Sequence, residues 1–236
     1  MKNQIILVEP LHLVLQGEGI NIGKKMILMR LAGCNIQCPD CDTIYSWRFS
    51  SLEKKKLLFY YGEKIIEEIH YFKNITNHLL ITGGEPALWE ENLVNLIHHL
   101  PNFYFDIETS GYSEWSLLKS HQLLEKIQFN ISPKIGVLKP KKDLDIKDIK
   151  ILQNPPIHYI IKIVTSKNNF KEDLIQIQKL IKEFHIPTEK IFLMPFGKRR
   201  QEIIEQSEYL IEQCFKYGFQ FSPRLHILLF DDQRLK

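Results

Sequence analysis

The stretch that most constrains this chain is Leu31-Ala32-Gly33-Cys34-Asn35-Ile36-Gln37-Cys38-Pro39-Asp40-Cys41-Asp42-Thr43, where three cysteines stand in a C-x3-C-x2-C spacing. The chain has four cysteines in all, and these three sit together at the end of an apolar, strand-like run. Three thiolates can each hold one iron of a four-iron, four-sulfur cluster, which leaves the fourth iron open to a chelating small molecule. A structural zinc site asks for four protein ligands in two pairs, and no second Cys pair or nearby Cys/His pair is present. Three unrelated thiols would leave the spacing without a reason. The fourth cysteine, Cys214, falls on the same helical stripe as Leu210 and Ile211 and reads as a core thiol.

Strand and helix signals alternate along the rest of the chain. Leu13-Val14-Leu15 is a short strand candidate, followed by the polar, glycine-flanked turn Gln16-Gly17-Glu18-Gly19. Met26 to Leu31 is a strand with Met26, Leu28 and Arg30 on one face and Ile27, Met29 and Leu31 on the other. A guanidinium inside an apolar strand needs a partner, either a protein carboxylate or an anionic ligand. Residues 50 to 75 read as charged and helical, with Ile65, Ile66, Ile69 and Phe72 as one stripe. Strands follow at Leu79–Ile81, Phe103–Ile107, Ile127–Ile131, Tyr159–Val164 and Ile191–Met194. Helices are expected around Leu93–Leu100, over 114–126, at Leu174–Phe184 and from Gln201 to Tyr217, the last with Gly218 as its stop. The stretch 135–156, including Lys139-Pro140-Lys141-Lys142, reads as a solvated crossover.

Six such alternations imply parallel strands joined by crossover helices, hence an α/β fold. Polar or glycine-bearing motifs recur at the strand ends, at Cys34, Thr82, Glu108, Ser132 and Met194, the edge where α/β folds bind ligands.

Together these motifs resemble the 7-carboxy-7-deazaguanine synthase family of the radical S-adenosylmethionine superfamily. The resemblance rests on Leu15-Gln16-Gly17-Glu18-Gly19, Arg30 through Cys34 with Cys38, Cys41-Asp42-Thr43 and Thr82-Gly83-Gly84-Glu85-Pro86. Glu108-Thr109-Ser110-Gly111, Ser132-Pro133-Lys134, Met194-Pro195 and Pro223-Arg224-Leu225-His226 complete it, and it spans nearly the whole chain. The resemblance implies an incomplete, TIM-like β/α barrel and a carbon–nitrogen lyase. Such a lyase converts 6-carboxy-5,6,7,8-tetrahydropterin to 7-carboxy-7-deazaguanine with loss of ammonia, in queuosine and 7-deazapurine biosynthesis. It implies a 4Fe-4S cluster on Cys34, Cys38 and Cys41, S-adenosyl-L-methionine at the open iron, and Mg2+ on Thr43. Asp40, Cys41, Asp42, Gly84, Glu85, Ser132, Pro133 and Lys134 are then expected to contact S-adenosylmethionine, Glu85 through the methionine amino group. Leu15, Gln16, Gly17, Arg30 and Thr82 are expected to line the pterin, with Arg30 on its carboxylate. A homodimer and an external reductant such as flavodoxin are also implied.

Composition agrees with an ordinary globular enzyme. At 236 residues, with 44% apolar and 25% charged residues, one domain spanning 1–236 is expected. The net charge of +3 is too small for a nucleic-acid groove. No apolar run approaches the ~18 residues of a membrane span. The start of the sequence lacks the pattern of a secretory leader, and clustered thiols point to a reducing cytoplasm. A glycyl-radical activase would share the cysteine loop without needing Gln16-Gly17-Glu18 or Arg224-Leu225-His226. A cluster-carrying module without catalysis would need only the cysteine loop.

Overall fold

The computed structural model describes residues 4–120, 122, 124–135, 144–231 and 233. The lysine-rich tract Lys139–Lys142, the segment Gly136–Leu138, Met1–Asn3 and most of the polar tail after Asp231 lie outside the described residues. In chain order the strands are β1 (Gln4–Leu7), β2 (His12–Leu15), β3 (Lys25–Leu31), β4 (Leu58–Tyr61) and β5 (His78–Gly83). They continue with β6 (Tyr104–Thr109), β7 (Ile127–Ile131), β8 (Tyr159–Thr165), β9 (Ile191–Pro195) and β10 (Gln220–Phe221). The helices are α1 (Ser51–Lys54), α2 (Gly62–Tyr71), α3 (Glu90–His98) and α4 (Ser116–Lys119). After them come α5 (Lys150–Gln153), α6 (Phe170–Phe184), α7 (Arg200–Tyr217) and α8 (Leu225–Phe230).

Strands β3, β5, β6, β7, β8, β9 and β10 lie side by side in that order and all pair parallel. Antiparallel β1 and β2 flank β3, and β4 pairs with β1. The sheet ends at β4 and β10 without joining them, so the barrel is incomplete, as expected.

Alternation gives each strand two unlike faces. The outer face carries Ile27, Met29, Leu31, Ile81, Phe105, Ile107, Phe129 and Ile161. These share one core with Ile65 and Ile69 of α2, Leu93, Leu96 and Ile97 of α3, Ile177 and Leu180 of α6, and Leu210 and Cys214 of α7. The inner face is bare of long helices. Low on it, Met26, Leu28 and Leu80 pack with Val14. Above them come the residues one short of each strand's end, among them Arg30, Thr82, Glu108 and Asn130.

Three expectations change. The stretch 135–156 is not solvated throughout: Ile135, Ile146, Ile149, Ile151 and Leu152 are buried in the core and Lys150–Gln153 is helical, because the apolar residues among its lysines and aspartates have a core face to pack on. Residues 50–75 are not one helical region: Leu58–Tyr61 forms β4, registered against Gln4–Leu7, between two separate helices. Aromatic and leucine residues favour a pleated, half-buried surface, and β1 offers an edge to pair with. The helix over 114–126 is reduced to α4 and a 3-10 turn at Leu124–Lys126. The end of α7 is as read, with Gly218 left-handed at φ 73° and its N–H on Cys214 O.

Candidate active site

The cysteine loop leaves β3 and is locked to the loop after β5 by backbone crossing. Gly84 N donates to Leu31 O at 3.1 Å and Glu85 N to Gly33 O at 2.9 Å. A Cβ on Gly84 would stand 1.8 Å from Gly33 O, so only glycine allows this approach. Trp89 Nε1 clamps the same crossing from below by donating to Ala32 O at 2.9 Å.

All four cysteines are free. Cys34 and Cys41 are half-buried and Cys38 is buried. Burial pushes the Cys34 and Cys38 thiols above their ordinary value, with Lys134 opposing the rise at Cys38. Among the described residues no three His, Cys, Asp or Glu side chains converge on a single metal ion. This suits a cluster: each thiolate takes a different iron, so the three need not meet at one point. Three free thiols on one loop fit a 4Fe-4S cluster with an open iron. Thr43 Oγ1 donates to Gly83 O at 3.4 Å and lies 3.6 Å from Cys41 Sγ.

Glu85 faces inward. It is 1% exposed. Its Oε1 accepts from Thr109 Oγ1 at 2.6 Å and from Ala87 N at 3.2 Å, while Oε2 accepts from Ser110 N at 2.9 Å and Ser110 Oγ at 2.5 Å. Four donors occupy the carboxylate, so as placed it ties the end of β6 to the glycine loop. An arriving ammonium would have to displace one of them. Asp40 is exposed, whereas Pro133 is buried and Ser132 and Lys134 half-buried at the end of β7.

Arg30 and Thr82 are register neighbours across β3 and β5. Of the two partners the sequence left open for Arg30, a protein carboxylate is present: Nε donates to Glu9 Oε1 at 2.5 Å. Arg30 also lies over the Tyr45 ring at 5.7 Å.

A buried charge network fills the inner face beside them. Lys162, 2% exposed on β8, sits between Glu108 Oε2 at 2.5 Å and Glu18 Oε2 at 2.6 Å. Glu108 Oε1 also accepts from Asn130 Nδ2 at 3.1 Å and Gln16 Nε2 at 3.4 Å. Asn21 Nδ2 reaches both oxygens of Asp106, at 2.9 and 3.0 Å. The loop 16–21 therefore folds across the inner face. It is held from the other end of the chain by Gly19 N to Ser222 Oγ at 2.8 Å and Leu225 N to Gly17 O at 2.8 Å. A Cβ on Gly17 would meet His226 Nδ1 at 2.3 Å. Arg224 joins three segments: Nε to Glu18 at 3.3 Å, Nη1 to Gly197 O at 2.8 Å and Nη2 to Asp42 Oδ2 at 2.6 Å.

The electrostatics follow from burial and neighbours. Burial alone would raise the Glu18 carboxyl, but Lys162 and then Arg224 and His226 outweigh it and hold it well below the carboxylate range. Burial would discharge Lys162, yet Glu108 and Glu18 reverse this and keep its ammonium charged. Glu108 is pushed up by burial, with Lys162 opposing and Glu18 and Asp106 adding to the rise. His226, 3.8 Å from Glu18, is lowered by its burial against the pull of Glu18.

The structure thus brings together Gln16, Gly17, Arg30, Thr82 and the cysteine loop. Leu15 stands apart: it pairs with Lys25, and strand parity turns its side chain outward, 47% exposed, while Val14 faces in. Sequence reading met Glu18 and Glu108 only as members of motifs and gave none of Glu18, Asp106, Glu108 and Lys162 a role in the site. Their signal was available, since Asp106, Glu108 and Lys162 are charged residues on one parity of apolar strands, the oddity already noted for Arg30.

The chain matches the 4Fe-4S single cluster domain family over residues 15–150. Among curated proteins it is 30% identical to the 7-carboxy-7-deazaguanine synthase of Pyrobaculum aerophilum, over 94% of this chain and 93% of that one. It is 27% identical to the synthase of the same name from Hyperthermus butylicus, over 96% and 94%. Among solved structures, that of QueE from Escherichia coli superposes with a TM-score of 0.70 at 23% identity, covering 94% of this chain and 95% of that one. The structure of anSMEcpe with bound AdoMet superposes with a TM-score of 0.51 at 18% identity, covering 81% and 61%. The two solved structures speak for the fold, and the curated relatives, aligned almost end to end, carry the kinship: the chain belongs to the 7-carboxy-7-deazaguanine synthase family.

Proposed function

We propose that this chain, as one domain, converts 6-carboxy-5,6,7,8-tetrahydropterin to 7-carboxy-7-deazaguanine with release of ammonia. The observation that carries the reading is the ring of penultimate strand residues on the inner face, Arg30, Thr82, Glu108 and Asn130, on the sheet edge that also bears the cysteine loop. When bound, the cluster on Cys34, Cys38 and Cys41 together with S-adenosylmethionine supplies a 5′-deoxyadenosyl radical that opens the reaction.

The chain's own residues position the pterin. Arg30 holds its carboxylate: Glu9 takes Nε, and the guanidinium fork has further N–H donors for a second carboxylate. Thr43, half-buried beside Gly83 O, would offer one hydroxyl oxygen to Mg2+, a hard cation that takes few protein ligands and would supply positive charge for the substrate carboxylate. Thr82 and the backbone of Gln16 and Gly17 line the ring. Lys162, kept charged by Glu18 and Glu108, is a fixed cation beneath the site and not a base. Asp40–Asp42, Gly84 and Ser132–Lys134 would hold S-adenosylmethionine, and Glu85 would act there by holding the Thr109–Ser110 turn.

Flavodoxin or a similar one-electron donor serves as reductant in a reducing cytoplasm. Among the described residues no helix is long and apolar enough to cross a membrane. A second copy of the chain is the expected partner. In support, β4 ends the sheet and turns Phe59 and Tyr61 to solvent, 51% and 62% exposed.

The test is an anaerobic turnover with reconstituted cluster, reductant, S-adenosylmethionine, Mg2+ and 6-carboxytetrahydropterin, read by mass spectrometry. A product lighter by ammonia and the accompanying hydrogens, with S-adenosylmethionine not consumed in proportion, is the expected result. Formation of 5′-deoxyadenosine with the pterin unchanged would keep the radical chemistry and reject the substrate.

A further inference from the structure

The cysteine loop carries an aromatic residue that its ligand motif does not account for. After Thr43 the chain makes a 3-10 turn, Ile44–Ser46, with Ser46 N on Thr43 O at 2.8 Å. Gly33 N fastens the turn to the start of the loop by donating to Ser46 O at 2.7 Å. This doubling back returns Trp47, half-buried, to the last cysteine, where its Nε1 donates to Cys41 Sγ at 3.4 Å. Cys34 Sγ has a comparable donor, Ile36 N at 3.4 Å, but that one is backbone and only proline, which would also restrict the loop's φ, removes it.

We propose that Trp47 sets the reduction potential of the cluster through its indole N–H on the Cys41 thiolate. The inference rests on the cluster assignment to Cys34, Cys38 and Cys41. Reducing the cluster by one electron makes its sulfurs more negative. A fixed N–H dipole aimed at a ligand sulfur therefore stabilises the reduced form more than the oxidised one and raises the potential. The indole is suited to this because its N–H is a donor only. Reduction is the step the external donor must drive, so the hydrogen bond decides how much of the cluster that donor can reduce.

Two measurements test this. In the intact chain, loaded and reduced, with tryptophan labelled with 15N at the indole, a hyperfine coupling from one 15N to the cluster spin is expected. In Trp47→Phe, which keeps an aromatic ring and loses the donor, the cluster's potential is titrated against that of the unsubstituted chain at equal iron and sulfide content. At a fixed solution potential the ratio of reduced to oxidised cluster should fall about tenfold, about 59 mV for a one-electron couple. An unchanged potential, or no 15N coupling in the intact chain, would overturn the proposal. If the variant fails to load, the labelled chain still decides. A chain that takes up no four-iron cluster at all would overturn the cluster assignment and this inference with it.

Discussion

The two faces of the same strands obey different rules. On β8, Ile161 and Ile163 point outward into a core shared with the covering helices, while Lys162 between them points inward and meets two carboxylates. Outward, burial removes apolar surface from water and any well-fitting aliphatic side chain serves. Inward, a charge is buried deeply enough that it is tolerable only with its partners in place. The outer face makes the molecule fold; the inner face fixes what it can hold.

The largest test sets one cysteine against another. Cys34→Ala, at the polar rim, should abolish cluster uptake and turnover, whereas Cys214→Ala, in the apolar core, should leave iron content and activity intact. Loss of the cluster in the second variant would mean that the core thiol is a ligand. Next, Lys162→Met should lower unfolding free energy by about 3–5 kcal/mol in chemical denaturation, because Glu18 and Glu108 stay buried without their cation. A neutral or stabilising effect would show that the inner face tolerates apolar packing as the outer one does.

A pH measurement sharpens the same contrast. The folded Glu18 carboxyl lies below its ordinary value of 4.5, so its stabilising contribution is present above that value and is lost as the pH falls through the folded value. Unfolding free energy of the intact chain should therefore decline below about pH 4.5, and Glu18→Gln, already weaker at neutral pH, should decline less over that window. Parallel curves would assign the acid sensitivity to other groups. The smallest effect belongs to Ile163→Val on the outer face, with a cost of roughly 0.5–1.5 kcal/mol and unaltered turnover. A marked loss of activity there would blur the division between the faces.

Much of this was legible in the sequence because periodicity reports parity. The alternation in Met26–Leu31 put Arg30 with Met26 and Leu28 on one face and Ile27, Met29 and Leu31 on the other, a division the structure keeps, with the second set in the helix-covered core. The strand-end motifs marked the functional edge because parallel strands place all their carboxyl ends together. Strand β4 was hidden because its pairing partner, β1, lies more than fifty positions earlier, and no local pattern reports such a contact. The Glu85 carboxylate was read as ligand-facing. Only the fold shows that Thr109 and Ser110 arrive to occupy it. Arg224 belonged to a recognised motif, yet its bridge from Glu18 to Asp42 joins three remote segments that spacing cannot relate.

The hydrogen bond between Gly19 and Ser222 spans 203 positions of the chain, and the ion pair of Glu18 with Arg224 spans 206. Closing the loop over the inner face therefore requires segments this far apart to meet, so the cover of the site is among the contacts whose loop-closure entropy is largest.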